Sequence, residues 1–155
     1  MELKQAQSLA QEIVDQLAPF CERIEVAGSI RRQGPFPRDI DIVLIPKNQG
    51  QLASALQSVG ERRRGGDKLQ ERIYKGVHVD LYFAAEATWA CLLLIRTGSK
   101  EHNIRLTTLA RSKGWKLKAN GEGLLNENGA RMAGDTEESF FRALGIPYLQ
   151  PEQRR

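Results

Sequence analysis

The chain has 155 residues, 41% of them hydrophobic and 27% charged, with a net charge of +4 and an isoelectric point near 9.3. That balance is that of a soluble globular protein with room for one modest core or two small subdomains. It excludes a membrane-spanning chain, since no apolar run reaches the length of a span, and the polar start Met1-Glu2-Leu3-Lys4-Gln5 is not a secretory signal. The basic excess suits a polyanionic partner without requiring one. Cys21 and Cys91 stand far apart in no metal-binding pattern, so reduced thiols in a cytoplasmic setting are expected.

In chain order, Leu3, Ala6, Leu9, Ala10, Ile13 and Leu17 recur at helical spacing until Pro19 stops them, which predicts an amphipathic helix. A short strand, Ile24 to Ala27, leads into Gly28-Ser29-Ile30-Arg31-Arg32. Glycine lets the backbone approach a phosphate, serine adds a hydroxyl donor and arginine supplies a charged fork matched to phosphate oxygens. An ordinary strand-end turn is the alternative, and the spacing to Asp39 tells against it.

Asp39-Ile40-Asp41-Ile42-Val43-Leu44-Ile45 reads as the next strand. Its two acids are two apart, so both project from one face and the isoleucines from the other. Two carboxylates over one site repel each other unless cations neutralise them, and hard oxygen ligands beside a phosphate suit magnesium. Asp-x-Asp taken alone has a plainer reading as the solvated face of a surface strand.

Leu52, Ala55, Leu56 and Val59 mark a second amphipathic helix that ends at Gly60. Arg62 to Lys68 reads as a mobile basic loop, either a contact for DNA phosphates or a solvated charge cluster. Leu69 to Tyr74 and Val77 to Phe83 predict a hairpin about Lys75-Gly76, which brings Asp80 beside the first two acids. Three strand-borne carboxylates let two ions sit about 4 Å apart and bracket the attacking and leaving oxygens of a phosphoryl transfer.

A helical stretch through Trp89, Leu92 and Leu93 leads to Thr97-Gly98-Ser99, and the next helix runs to a stop at Gly114. Trp115 to Lys118, Gly123 to Leu125 and Arg131 to Ala133 predict a small sheet turning at Asn126 to Gly129. Asp135 and Glu138 have capping-box spacing for the last helix, which Gly145 and Pro147 end. The expected fold class is α/β (α+β): a mixed sheet with helices over residues 1–94, then a small α+β subdomain over residues 95–155.

These motifs resemble the catalytic portion of the family X DNA polymerases. Gly28, Ser29, Asp39 and Asp41 match that family's Gly-Ser, nine residues, Asp-x-Asp pattern, and Asp80 matches its third catalytic aspartate. Thr97-Gly98-Ser99 and the helix bearing Asn103 match its second hallmark, and Thr136 to Tyr148 is similar to its final helix and exit. The resemblance implies a nucleotidyltransferase palm over residues 1–94 and a nucleotide- and template-binding subdomain over residues 95–155. It implies two magnesium ions, with manganese a possible substitute, held by Asp39, Asp41 and Asp80 as the catalytic residues. It further implies Ser29, Arg32 and Gly28 at the triphosphate, Gly98 and Ser99 under the incoming sugar and Asn103 facing the base. His78 stands where the family commonly has an arginine touching the primer phosphate; a half-exposed strand histidine is the alternative.

The chain also departs from that pattern. Ile95-Arg96 replaces Tyr-Phe before Thr97, so exclusion of a ribose 2′-hydroxyl is open and Arg96 is free to contact DNA. Arg38 replaces a small residue before the first aspartate, and Thr107 stands where many relatives carry an arginine reaching toward the template. No lyase domain and no helix-hairpin-helix segment is expected within these residues. The function expected is a metal-dependent DNA polymerase that adds nucleotides from a nucleoside triphosphate to a DNA 3′ end, with gap filling in repair implied. Its partners would be primer-template or gapped DNA, with no membrane and a monomer favoured. The alternatives are transfer to RNA, a small molecule or a protein, and a non-catalytic DNA-binding remnant.

Overall fold

The computed structural model describes all 155 residues. Helix α1 (Leu3–Leu17) buries Ala6, Ala10, Ile13 and Leu17, the stripe expected from its periodicity. Strands β1 (Cys21–Val26), β2 (Ile40–Pro46), β3 (Glu61–Gly65), β4 (Leu69–Tyr74) and β5 (Val77–Phe83) form one mixed sheet in the order β1-β2-β5-β4-β3. Only β2 and β5 run parallel. A two-residue turn at Lys75 and Gly76 closes the β4–β5 hairpin; both residues have positive φ, 49° and 80°, as a turn matched to the strand twist requires.

Both faces of β2 are covered, which explains its unbroken apolar run. Ile40, Ile42 and Leu44 pack with α1 and with α3 (Gln49–Leu56), while Val43 and Ile45 pack on Trp89, Leu92 and Leu93 of α4 (Trp89–Thr97). By strand alternation Asp41 shares the α4 side with Val43 and Ile45. On β5, Val79 and Leu81 join the α1 side, so His78, Asp80 and Tyr82 share the side of Asp41.

The basic segment differs from expectation. Arg62 to Gly65, read as the start of a basic loop, belong with Glu61 to an edge strand paired with β4, bulged between Arg62 and Arg64. All five residues are exposed, so the strand carries no apolar alternation to betray it, and exposed arginines on an edge discourage pairing with another sheet. Gly28-Ser29 opens a single helical turn, α2 (Gly28–Arg31).

The C-terminal part has its own core. Ala90, Cys91 and Leu94 of α4 pack with Leu106 and Ala110 of α5 (Lys100–Ser112), Leu124, and Phe140, Phe141 and Leu144 of α6 (Glu137–Leu144). Residue 94 lies inside α4, which therefore presents one flank to each core. A three-stranded sheet, β6 (Lys116–Lys118), β7 (Gly123–Leu125) and β8 (Arg131–Ala133), completes this part where the sequence predicts it. The cap of α6 is Thr136, whose hydroxyl accepts from Ser139 N–H, rather than Asp135, which pairs with Arg131. Gly145 ends that helix in the left-handed region at φ 75°. No helix is long and apolar enough to cross a membrane.

His102, in the first turn of α5, is fully buried against Phe141, and neither ring nitrogen has a hydrogen-bond partner. Burial, with the positive charges of Arg154 and Arg105, pushes its pKa down to about 4. An unfolded histidine titrates near 6.5, so the unfolded state binds the extra proton between those values. Stability should therefore be lost as pH falls from about 6.5 toward about 4. Urea denaturation at pH 7 and pH 5 checks this: the wild type should lose more stability than His102→Leu, and equal losses would exclude His102 as the source.

Candidate active site

Asp41 on β2 lies directly opposite Asp80 on β5, and Asp80 lies opposite Glu71 on β4, which in turn lies opposite Arg64 on β3. Pairing register thus sets one row of charges across four strands, on the side of the sheet that faces α4. Parallel pairing of β2 with β5 is what puts the first two acids side by side. Asp39 is exposed and immediately precedes β2, which begins at Ile40 rather than at Asp39 as the sequence suggested.

Asp41 is the most perturbed of the acids. Burial, followed by repulsion from Asp80 and Asp39, pushes its carboxyl up to about 6, with Arg96 and Tyr82 opposing the shift. Asp80 is raised as well, by burial first, although His78 pulls the other way. Gly28 (φ 61°) lies against Asp41, and a Cβ there would collide with the Asp41 carboxylate. Glycine is thus required twice at this position, for its backbone angle and for the acid's space. Mutually repelling carboxylates above a glycine-lined opening are a donor set that a hard divalent cation satisfies, so the residues fit magnesium.

A cleft of about 710 Å³ opens over these groups. Gly28, Ser29, Arg32, Asp39 and Asp41 line it from one side, and Arg96, Gly98 and Asn103 from the other. Arg38, Lys100 and Arg111 also reach it, so cations outnumber acids along the wall and the cleft suits a polyphosphate. Arg32 donates to the Thr97 carbonyl at 2.6 Å, which fixes its guanidinium beside Gly98. Arg96 stacks 4.4 Å over the Tyr82 ring, and the two form a cationic and aromatic wall beside Asp41.

Not every candidate faces the opening. Ser99 is buried at the cap of α5, its hydroxyl accepting from His102 N–H and its own N–H donating to the Arg154 carbonyl. The Gly98–Ser99 peptide is cis. Asn103 spends its amide N–H on the Ile95 carbonyl at 2.9 Å, and its Oδ1 is buried without a partner. His78 and Asp80 stand beside the cleft rather than along its wall, with His78 Nε2 3.0 Å from Asp80 Oδ1. Burial opposes a charge on His78, yet the Asp80 carboxylate outweighs it and holds the imidazole above its usual range. Thr107 donates its hydroxyl to the Asn103 carbonyl and lines the cleft, presenting a short side chain there.

Three important residues were assigned no role by the sequence. Arg31 donates two hydrogen bonds to Glu137, at 2.7 and 2.9 Å, and a third to the Thr97 hydroxyl. Arg154, wholly buried, donates at 2.7 Å to Glu137 Oε2, which also accepts from Arg31, and lies against the rings of Phe141 and Tyr148. Burial alone would raise the Glu137 carboxyl, but Arg31 and Arg154 together hold it below its ordinary range. This latch clamps α2, which carries Ser29 and precedes Arg32, onto α6 and the end of the chain. The Arg31-Arg32 pair of the sequence thus divides its work: one side chain faces the cleft and the other faces the latch.

The fold is α+β, with paired strand acids beside a cationic cleft. The family model for the DNA polymerase beta thumb matches residues 92–155. The DNA polymerase/3′-5′ exonuclease PolX of Bacillus subtilis (strain 168) is 26% identical over 154 residues, covering 94% of this chain and 27% of that protein. DNA polymerase lambda of Rattus norvegicus is 27% identical over 158 residues, covering 82% of this chain and 28% of its own length. The chain is thus similar to family X DNA polymerases, and it spans little more than a quarter of the length of these two proteins.

Proposed function

We propose that the chain is a metal-dependent nucleotidyltransferase that adds nucleotides from deoxynucleoside triphosphates to a DNA 3′-hydroxyl, releasing pyrophosphate, with gap filling in repair as the implied role. The observation that carries this is the cleft in which Asp39 and Asp41 meet an excess of cations beside Gly28. Similarity to two DNA polymerases adds support. In this reading residues 1–94 carry the transfer chemistry and residues 95–155 carry the nucleotide and template side.

Asp39, Asp41 and Asp80 would hold two magnesium ions, with manganese a substitute, and these supply Lewis acidity to the attacking and leaving oxygens when bound. Ser29 and Arg32 take the β and γ phosphates, where a hydroxyl and a fixed guanidinium meet the leaving pyrophosphate. Asp80 draws the proton from the primer 3′-hydroxyl, which attacks the α-phosphate in line. Gly98 brings bare backbone under the sugar, and Asn103, which lines the cleft, faces the base. His78 and Arg96 supply positive charge to DNA phosphates.

Primer extension with an end-labelled DNA primer, with and without a template strand, tests this reading. Extension by deoxynucleotides in magnesium that depends on the template is the expected result. No extension under either condition, or labelling of RNA or a small molecule in its place, would overturn it.

A further inference from the structure

We propose that Glu71, His78 and Asp80 form a second metal site, suited to a borderline divalent ion such as zinc, and that its occupancy withdraws Asp80 from nucleotide transfer. The inhibitory consequence depends on Asp80 being a transfer-site carboxylate, as proposed above; the metal site itself does not.

The donors come from the antiparallel pair β4–β5. Glu71 lies opposite Asp80, and His78 precedes Asp80 by two residues on the same face. Their ligand atoms all lie within 4.8 Å of one another. His78 Nε2 is 3.0 Å from Asp80 Oδ1 and 3.6 Å from Glu71 Oε1. Ligands bonded to zinc at ~2.0–2.1 Å in a tetrahedron stand ~3.3 Å from one another, and the two edges measured here bracket that spacing.

Donor chemistry separates this site from the cleft. An imidazole nitrogen with two carboxylate oxygens suits zinc, cobalt or manganese, whereas magnesium takes oxygen ligands. His78 is 36% exposed, so a fourth position is open to water. Arg64, which contacts Glu71 from the edge strand, is 82% exposed and has solvent to move into when a cation arrives. Neither Glu71 nor His78 is among the carboxylates proposed to hold the magnesium ions, so Asp80 is the one metal ligand the two sites share. An ion bonded to Asp80 from the β4 side competes with its use beside Asp41.

Cobalt alone is the probe, titrated into the protein without DNA or nucleotide, and the visible absorption of four-coordinate cobalt is followed. Wild-type protein should develop the band and lose it when zinc is added. Glu71→Gln, outside the transfer machinery and nearly isosteric, should bind cobalt at least about tenfold more weakly, as should His78→Gln. In primer extension, Glu71→Gln should keep the magnesium-supported rate and lose sensitivity to zinc. Absence of the band in wild-type protein, or equal cobalt affinity in wild type and variants, would overturn the site. Zinc inhibition equal in wild type and Glu71→Gln would overturn the shared role of Asp80, because zinc would then act through Asp39 and Asp41. Should primer extension fail altogether, the transfer reading falls while the cobalt titration still decides the site.

Discussion

Asp41→Asn should abolish nucleotide transfer and, in the absence of metal, make the protein more stable at neutral pH. Losing one carboxylate from a site that neutralises phosphoryl charge removes several kcal/mol of transition-state stabilisation, or roughly a thousandfold or more in rate. The stability change has the opposite sign because the carboxyl is raised to about 6 by burial and by its acidic neighbours. An acid raised in the folded state favours folding while protonated, and that contribution is lost as pH rises from about 4, its unfolded value, through about 6. Above pH 6 the wild type carries the full penalty of ionised Asp41 and the asparagine variant carries none. Melting temperatures at pH 7.5 in a chelator should therefore be higher for Asp41→Asn, and saturating magnesium should narrow the gap by stabilising only the wild type. A variant less stable than wild type in chelator would show that Asp41 is held by partners rather than strained by neighbours.

Glu137→Ala should be the most destabilising single change outside the apolar cores. It strips the common partner from Arg31 and from Arg154, leaving two guanidinium groups with little solvent to turn to. Breaking a buried pair by removing one partner costs about 3–5 kcal/mol, because an uncompensated charge stays behind. The magnitude is read from urea denaturation as a shift in midpoint at constant slope. A loss under about 1 kcal/mol would equate the latch with surface ion pairs. Because Arg31 belongs to the helical turn that opens at Gly28, the same variant should also loosen Ser29 and Arg32, weakening triphosphate binding more than an Arg31-independent core substitution of equal cost.

Local pattern made the elements legible. The stripe of α1, the apolar run of β2, the Lys75-Gly76 turn and the three short C-terminal strands all follow from periodicity and turn chemistry acting over a few residues. The strand acids were legible for the same reason, since Asp41 and Asp80 interrupt apolar runs that must otherwise be buried. What stayed hidden depends on tertiary register. Glu71 joins the charged row only once β4 is paired with β5, and nothing around it in sequence marks it. The latch is assembled from α2, the last residues of the chain and the start of α6, so no spacing rule connects its members. The β3 strand escaped because an edge exposed on both faces has no hydrophobic alternation. Ser99 shows the converse: its motif was legible, but its hydroxyl serves the helix cap instead of pointing to the cleft.

The most direct measurement is single-turnover primer extension in magnesium by wild type and Asp80→Ala, on samples shown by circular dichroism and melting to be folded alike. Asp80 is only partly exposed and is disfavoured as a charge, so its removal should leave the fold intact. The account predicts template-dependent extension by the wild type and a loss of at least about a thousandfold in the variant. A folded Asp80→Ala protein that retains most of the wild-type rate would contradict it.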